Sequence, residues 1–386
     1  MKPEKGGISL IWNEALEQYV SDHQDEVVEL IRTLVAIPAF SNHEQARAEY
    51  CAKWFRDVGA EDVKIDEASN VIVTLGDVQA GKAVAFMAHL DTVFPDETGF
   101  ELVEEDGWLK APGVGDDTAN VALLMVITRY LLEQKCPPKQ GVLIVLNAGE
   151  EGLGNLKGCR RLMQDYTDKL SEVYSFDGSY KGYVNKAVGS VRYRVEVKTE
   201  GGHSYGAFGN RNAIRVLASL IDALYSVKVP QGGKTTYNVG TIEGGTSVNT
   251  IAQQASMLFE FRSDVREHLD QLRGMFDSLI DAYRKMGVEV NVEILGERPC
   301  MGEIDQEKQR AIEKKVEDLI ERRIGVRPEG HSGSTDCNIP FSLGINSLCF
   351  GGYLGEGAHT REEKIEKASL LPGLGVMMEF VLDYFL

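Results

Sequence analysis

The stretch KAPGVGDDTAN, Lys110–Asn120, decides the fold and the function that the sequence predicts. Two adjacent acids, Asp116 and Asp117, lie in a turn rich in glycine and proline, directly before the apolar run 121–126, which is typical of a helix. Carboxylates in a loop between packed elements are well placed to hold a cation. Taken alone, the same pair is also consistent with the N-terminal cap of a helix.

Two further polar segments lie at comparable points of the chain. His89 and Asp91 follow one apolar, strand-like run, and Glu150 and Glu151 follow another. Ligands of open α/β sheets gather at the carboxyl ends of the strands. Because His89 and Asp91 are two residues apart, they point the same way on an extended segment, where Asp91 can orient the imidazole. Singly, these pairs also fit a surface hydrogen bond and a solvated strand end; together with Asp116 they predict a two-metal hydrolase.

A two-metal site has definite chemical requirements. Neutral imidazole and carboxylate groups are suitable ligands for Zn²⁺ or a similar divalent ion. Such a site needs about three ligands for each ion, with one carboxylate shared across a gap of roughly 3.5–4 Å. Water between the ions is acidified enough to attack an amide carbon, and a nearby carboxylate can accept its proton.

The composition sets limits on the class of protein. A chain of 386 residues is long enough for two domains. The net charge of −18 disfavours nucleic acid and anionic membrane as partners, because phosphate binding requires clustered Lys and Arg. The six cysteines are scattered and fit reduced thiols. With neither a signal-like apolar start nor a run of roughly 18 apolar residues, the sequence predicts a cytoplasmic protein.

The pattern of apolar residues predicts how the chain is organised. Helical periodicity covers 12–35, and strands alternate with helices up to residue 188, which favours a mainly parallel sheet with helices on both faces. Residues 189–300 follow the order β-α-β-β-α-β of a ferredoxin-like unit. We therefore expect a catalytic α/β domain formed by 1–188 and 301–386, interrupted by an inserted α+β domain at 189–300.

Five ordered motifs make the sequence resemble a known family. They are His89-Leu90-Asp91-Thr92-Val93, Gly115-Asp116-Asp117, Asn147-Ala148-Gly149-Glu150-Glu151-Gly152, Phe176-Asp177-Gly178 and Gly357-Ala358-His359-Thr360. The chain is similar, over nearly its whole length, to the co-catalytic zinc exopeptidases, the family of peptidase T, carboxypeptidase G and aminoacylase. The resemblance implies a three-layer zinc-exopeptidase α/β core, with the inserted domain acting as a lid and dimerisation domain.

The resemblance also implies a role for each residue of the predicted metal site. Two divalent ions are expected, zinc first, with manganese or cobalt as alternatives. A cis peptide bond is expected between Asp116 and Asp117. Carried over by motif position, the roles are terminal imidazole ligands for His89 and His359, a bridging carboxylate for Asp116, single-metal carboxylates for Glu151 and Asp177, and the general base for Glu150.

Three residues of the inserted domain match further positions of the family. His203 corresponds to the lid histidine, which in dimers reaches the neighbouring active site and stabilises the oxyanion; by itself it fits a solvated loop histidine. Asn249 and Arg262 have the spacing at which relatives bind the substrate carboxylate, although Arg262 alone also fits a surface ion pair. One departure is Thr118, where many relatives have a lysine that is not a ligand.

The sequence therefore predicts a metallopeptidase. Phe176-Asp177-Gly178 resembles peptidase T and favours an aminopeptidase that acts on di- or tripeptides. The family resemblance at His203 implies a homodimer. A carboxypeptidase G-like enzyme or an N-acyl amino acid amidohydrolase would use the same residues and is the alternative. A metal-free homologue that serves as a peptide-binding module is a more remote alternative, because no predicted ligand is missing.

Overall fold

A computed structural model describes residues 13–78 and 82–385 of the chain. The chain divides into two compact units, one formed by Met1–Asn185 with Gly302–Leu386 and the other by Lys186–Met301. The predicted lid and dimerisation roles of the inserted domain, 189–300, stay predictions. Among the described residues, none of the helices has both the length and the apolar character needed to cross a bilayer.

Both units contain α-helices. In chain order, the α-helices of the described residues are α1 Glu14–Asp22, α2 Gln24–Val35, α3 Gln45–Asp57, α4 Asn120–Glu133, α5 Lys157–Tyr166, α6 Ala213–Tyr225, α7 Arg266–Lys285, α8 Gln306–Ile324, α9 Asn338–Ser342 and α10 Leu370–Leu382. Of these, α6 and α7 belong to the second unit.

The strands of the described residues form one large sheet and three smaller ones. In chain order they are β1 Val63–Ile65, β2 Val71–Leu75, β3 Ala83–His89, β4 Val103–Glu105, β5 Trp108–Lys110, β6 Val142–Asn147, β7 Leu170–Ser175, β8 Gly182–Ala187, β9 Gly189–Lys198, β10 Gly202–His203, β11 Thr235–Gly244, β12 Thr250–Ile251, β13 Gln254–Ser263, β14 Glu289–Arg298, β15 Glu329–Gly333, β16 Asn346–Cys349, β17 Gly355–Glu356 and β18 Lys364–Glu366.

The predicted single helix over 12–35 is wrong in one respect, because the structure divides it at His23 into α1 and α2. The backbone of His23 leaves the helical region, with φ −104° and ψ 9°. Its ring Nδ1 lies 2.7 Å from the carbonyl oxygen of Tyr19, and its backbone N–H donates to the same oxygen. The end of α1 therefore coincides with the non-helical backbone of His23. The predicted start at Trp12 lies outside the described residues.

The large sheet has the strand order β1-β2-β6-β3-β7-β16-β8-β15. Its centre, β6-β3-β7-β16, is parallel, whereas β1 with β2, β2 with β6, and β16 with β8 are antiparallel. The sheet is thus mixed, and the prediction of a mainly parallel sheet holds only for its centre. Between β1 and β2 the connection is too short for the crossover that a parallel pair requires, so these strands form a hairpin.

Both faces of this sheet are covered by helices, as predicted. On β3, alternate side chains enter two different buried clusters, because successive side chains of a strand point to opposite faces. Phe86 packs in a cluster with residues of α1, α2, α3, α4, α8 and α10. Ala85 and Met87 pack in the second cluster with residues of α5 and α9. The arrangement of helix, sheet and helix confirms the three-layer α/β core.

The second unit has the predicted order of elements, β9-α6-β11-β13-α7-β14, with the short pair β10 and β12 in addition. Its sheet has the strand order β11-β13-β9-β14, with antiparallel neighbours throughout. Alternate residues of β9 and β13, among them Val195 and Phe259, pack with Leu217 of α6 and Phe276 of α7 in one cluster. The helices therefore cover one face of the sheet, as in ferredoxin-like folds.

Candidate metal centre

The predicted ligands lie at one edge of the large sheet. His89 is the last residue of β3 and is paired with Asn147, the last residue of β6. On the other side of β3, Met87 pairs with Ser175, the last residue of β7, and Asp177 follows two residues later. Because these three strands are parallel, their carboxyl ends meet at the same edge, where His89, the Glu150–Glu151 turn and Asp177 come together.

The loop between β5 and α4 brings Asp116 to this edge. The peptide bond between Asp116 and Asp117 is cis, as the resemblance predicts. The Asp117 carboxylate accepts hydrogen bonds from the backbone N–H of His89 at 2.9 Å and from the side-chain amide of Asn120 at 2.7 Å. Asp117 thereby fastens the loop to the end of β3 and to the start of α4.

Asp116 lies between two imidazoles. The Nε2 atom of His89 is 3.0 Å from its Oδ1, and the Nε2 atom of His359 is 3.0 Å from its Oδ2. His359 Nε2 is also 2.6 Å from Oε1 of Glu151. A carboxylate that bridges two ions presents one oxygen to each of them, and the position of Asp116 between the two imidazoles fits that role.

Two groups of possible ligands share this carboxylate. The first is His89, Asp116 and Asp177, and the second is Asp116, Glu151 and His359. Within each group the candidate ligand atoms lie within 4.8 Å of one another. A third group of the same dimensions, His89, Glu150 and Glu151, places Glu150 beside the other acids. The donors are imidazole nitrogens and carboxylate oxygens, which suit zinc and similar divalent ions.

The carboxylates of this site are crowded; Asp117, Glu150 and Glu151 are buried, and Asp116 and Asp177 are half-buried. Burial raises the pKa of the Asp177 carboxyl to about 7, and the nearby Asp116 adds to the rise. Burial likewise raises the pKa of Asp117 well above its ordinary value. Hydrogen bonds to Asp116 and Glu151 raise the pKa of His359 to about 11. Carboxylates this close, and largely removed from water, repel one another unless positive charge compensates them, so the cluster fits a cation site.

Asp91 holds the turn that carries the two glutamates. Its buried carboxylate accepts the backbone N–H of Glu150 and of Glu151, each at 2.9 Å, and the hydroxyl of Ser41 at 2.6 Å. The Nδ1 atom of His89 is 3.1 Å from the backbone oxygen of Asp91 and 3.6 Å from its Oδ1. The predicted orientation of the imidazole by Asp91 thus involves its carbonyl oxygen at least as much as its carboxylate.

The remaining predicted residues lie in the second unit. Exposed His203, on β10, pairs in register with Thr250 of β12 and accepts weak hydrogen bonds from two backbone N–H groups at 3.3 Å. Asn249 is exposed next to that pair, and its backbone oxygen accepts the N–H of Ser204 at 2.9 Å. These contacts bring His203 and Asn249 together.

Arg262 is half-buried on β13 and donates to both oxygens of Glu260, at 2.9 and 3.0 Å. A guanidinium has five N–H donors, of which these hydrogen bonds use two. The predicted carboxylate-binding role of Arg262 therefore depends on its remaining donors, or on displacement of Glu260.

Sequence reasoning missed several residues that hold the site. The buried guanidinium of Arg47 donates to the backbone oxygen of Leu90 at 2.9 Å and to the hydroxyl of Thr118 at 3.4 Å. Asn147 donates from its side-chain amide to Asp336 at 2.6 Å. The sequence signals such long-range contacts only by an arginine or asparagine that interrupts an apolar pattern.

Comparison with known proteins gives three informative similarities. The uncharacterized protein YqjE of Bacillus subtilis is 27% identical over 359 residues, which cover 89% of this chain and 94% of that protein. The succinyl-diaminopimelate desuccinylase of Bordetella parapertussis is 24% identical over 278 residues, or 67% of this chain and 73% of that protein. The structure of aminopeptidase PepT from Bacillus cereus has a TM-score of 0.69 at 24% identity and covers 92% of this chain and 97% of that one.

The sequence also matches a family model over most of its length. The match extends over residues 85–383 and is described as peptidase family M20/M25/M40. It includes every predicted metal ligand from His89 to His359, together with Glu150 and the three predicted residues of the second unit. Since the matched region is well over half of the chain, this protein belongs to peptidase family M20/M25/M40.

Proposed function

We propose that this protein is a dinuclear metal-dependent exopeptidase that releases the amino-terminal residue of di- and tripeptides. As a family member it is a hydrolase of peptide or amide bonds. One observation carries the finer proposal of two metals. The carboxylate of Asp116 presents its two oxygens to the imidazoles of His89 and His359, each at 3.0 Å, and thereby joins two groups of three possible ligands.

The ligand assignment follows these two groups. His89, Asp116 and Asp177 would hold one ion, and Asp116, Glu151 and His359 would hold the other. Each ion then has three ligands from the chain, and Asp116 is shared. The mixture of imidazole and carboxylate donors suits zinc, manganese or cobalt, with zinc as our first choice.

Glu150 is then left for proton transfer. A pair of divalent ions supplies an acidified water and a Lewis acid for the substrate carbonyl. The Glu150 carboxylate, which lies beside His89 and Glu151, would take the proton of the water and return it to the departing amine. Its backbone N–H donates to Asp91, which is buried, so the side chain projects from a fixed turn.

The choice of an aminopeptidase has specific support. Phe176-Asp177-Gly178 resembles peptidase T, and the structure of aminopeptidase PepT has a similar fold. Similarity to the desuccinylase supports the second candidate, an N-acyl amino acid amidohydrolase or a carboxypeptidase G-like enzyme that uses the same residues. We propose short peptides as substrates, with N-acyl amino acids as the alternative.

Hydrolysis of three matched substrates tests the proposal. They are a tripeptide with a free amine, the same tripeptide after N-acetylation, and an N-acyl amino acid, each assayed with added Zn²⁺, Mn²⁺ or Co²⁺ and again after chelation. Cleavage of the free-amine peptide alone, abolished by chelation, is the expected result. Preference for a blocked substrate would favour the second candidate. No bound metal after reconstitution would favour the metal-free binding module.

We further propose that Arg262, with Asn249, binds the substrate carboxylate. Arg262→Gln is expected to raise KM for a tripeptide with a free carboxylate by about 10–100-fold, because hydrogen bonds to charged groups contribute about 1.5–3 kcal/mol. The C-terminally amidated tripeptide should show no such increase. The control is Arg310→Gln, which removes an exposed guanidinium from α8. Equal loss for both peptides would contradict the carboxylate role.

A homodimer formed through the second unit completes the proposal. Strand β11 is an edge of its sheet and α6 packs beside it, and an exposed edge is a place where another chain can pair. The surrounding loops and elements expose large apolar side chains, namely Tyr205, Phe208, Ile214, Tyr225, Ile242 and Val248. His203 lies on the same loop as Tyr205 and would reach the neighbouring chain's active site.

Sedimentation measures this assembly directly. Wild-type protein is expected at twice the chain mass of 42.6 kDa. Phe208→Asp combined with Ile214→Asp should convert it to monomer, since a buried, unpaired carboxylate strongly disfavours an apolar interface. Val326→Asp, at an exposed position of the first unit, is the control. A wild-type monomer at micromolar concentration would contradict the proposed dimer.

A further inference from the structure

Glu363 is a buried acid that the proposed chemistry does not use. It lies four residues after His359 and is only 2% exposed. Its carboxylate accepts three backbone hydrogen bonds, from Gly113 at 2.8 Å, Gly115 at 2.9 Å and Asp116 at 2.8 Å. The Glu363 side chain therefore links the segment that carries His359 to the loop that carries Asp116.

The three backbone N–H donors lie in a loop whose backbone is not regular. Gly113 has a left-handed backbone with φ 70°, and the segment that follows is irregular around Asp116, whose ψ is 96°. A Cβ at Gly115 would approach the ring of Tyr353 and the side chain of Ile365 to within 2.8–2.9 Å, so the loop passes close to neighbouring elements. Buried N–H groups require partners, and a carboxylate is a strong one.

Backbone pairing joins the same two regions at a distance from the ligands. Lys364 of β18 pairs with Lys110 of β5, and the N–H of Ala111 donates to the backbone oxygen of Glu363 at 3.2 Å. These contacts do not involve the Glu363 side chain and would persist without it. The carboxylate is what extends the connection from the paired strands to the tip of the loop, where Asp116 lies.

We propose that Glu363 is a positioning residue for the shared carboxylate, an inference that rests on the proposed dinuclear site. By holding the N–H of Asp116 from the segment that carries His359, it fixes the Asp116 oxygens relative to that imidazole. The residue acts through Asp116 and touches neither substrate nor ion. Residues that support metal ligands in this way typically contribute about 10–100-fold to metal affinity.

Metal titration of three variants of the full chain tests this inference. They are Glu363→Ala, the isosteric Glu363→Gln, and the control Glu362→Gln at the exposed neighbouring position. Zn²⁺ and Mn²⁺ affinities are measured by calorimetry, and the rise in Tm on metal addition is measured in parallel. Glu363→Ala is expected to bind one or both ions about 10–100-fold more weakly, with a correspondingly smaller rise in Tm. Glu362→Gln should match the wild type.

The metal affinity of Glu363→Gln should lie between those of Glu363→Ala and Glu362→Gln, because the remaining side-chain oxygen can still accept hydrogen bonds from Gly115 and Asp116. If Glu363→Ala does not fold, the affinity of Glu363→Gln decides. A lower Tm without metal, combined with wild-type affinity and a wild-type rise in Tm, would show a merely structural role and overturn the inference. A wild-type protein that binds no metal would overturn both the inference and the proposed function, whereas unchanged affinity in the variants would overturn the inference alone.

Discussion

Glutamine in place of Glu150 is expected to lower kcat by about 10²–10⁴-fold while both metal ions remain bound. The amide has nearly the shape of the carboxylate but cannot accept a proton. Glu150 is 5% exposed, and the backbone N–H through which it is fixed to Asp91 is unaffected by the change. The two ligand groups that share Asp116 do not include Glu150, so the proposed metal ligands remain complete.

This prediction is tested by steady-state kinetics with the free-amine tripeptide, which give kcat, and by metal analysis of the same preparation. Glu61→Gln makes the same chemical change at an exposed position of the first unit and should leave kcat and metal content unchanged. Loss of an ion from the Glu150 variant would instead identify Glu150 as a ligand, in line with its group with His89 and Glu151. Retention of full kcat would exclude it as the general base.

The sequence predicted those parts of the site that lie at strand ends. His89, Glu150 and Glu151 each follow an apolar run, and a run of that kind at the centre of a sheet is recognisable because both its faces are buried. Parallel pairing then brings such ends to one edge without further information. Asp177 and His359 had no comparable local signal, and only the family resemblance indicated them. The same is true of the cis bond between Asp116 and Asp117.

Contacts between distant segments are what the sequence could not predict. Ser41 is 50 residues from Asp91, and Glu363 is 247 residues from Asp116. Neither contact repeats with a helical or strand period, so pattern analysis has nothing to detect. The antiparallel edges of the large sheet and the break at His23 were missed for a related reason. The short connection between β1 and β2 and the non-helical backbone of His23 are local features that do not change the apolar pattern.

Alanine in place of Asp116 is expected to have the largest effect of any single change. The shared carboxylate belongs to both ligand groups, so its removal leaves two ligands for each ion. Zinc sites in proteins usually require three or four ligands from the chain. We expect the metal content to fall from two ions per chain to one or none. Activity should fall by on the order of 10³-fold or more, because metal catalysis contributes several kcal/mol and each 1.36 kcal/mol is tenfold.

Metal analysis after dialysis and kinetics at saturating tripeptide measure this loss, with circular dichroism to establish that the variant folds. Asp62→Ala, at an exposed position beside β1, is the matched control. Two ions retained in the Asp116 variant would contradict the shared role and indicate separate mononuclear sites.

The comparison with Glu363→Ala is equally informative. If Glu363 acts only through Asp116, then removing Glu363 from the Asp116→Ala variant should cause no further loss of metal affinity, since coupled residues are not additive.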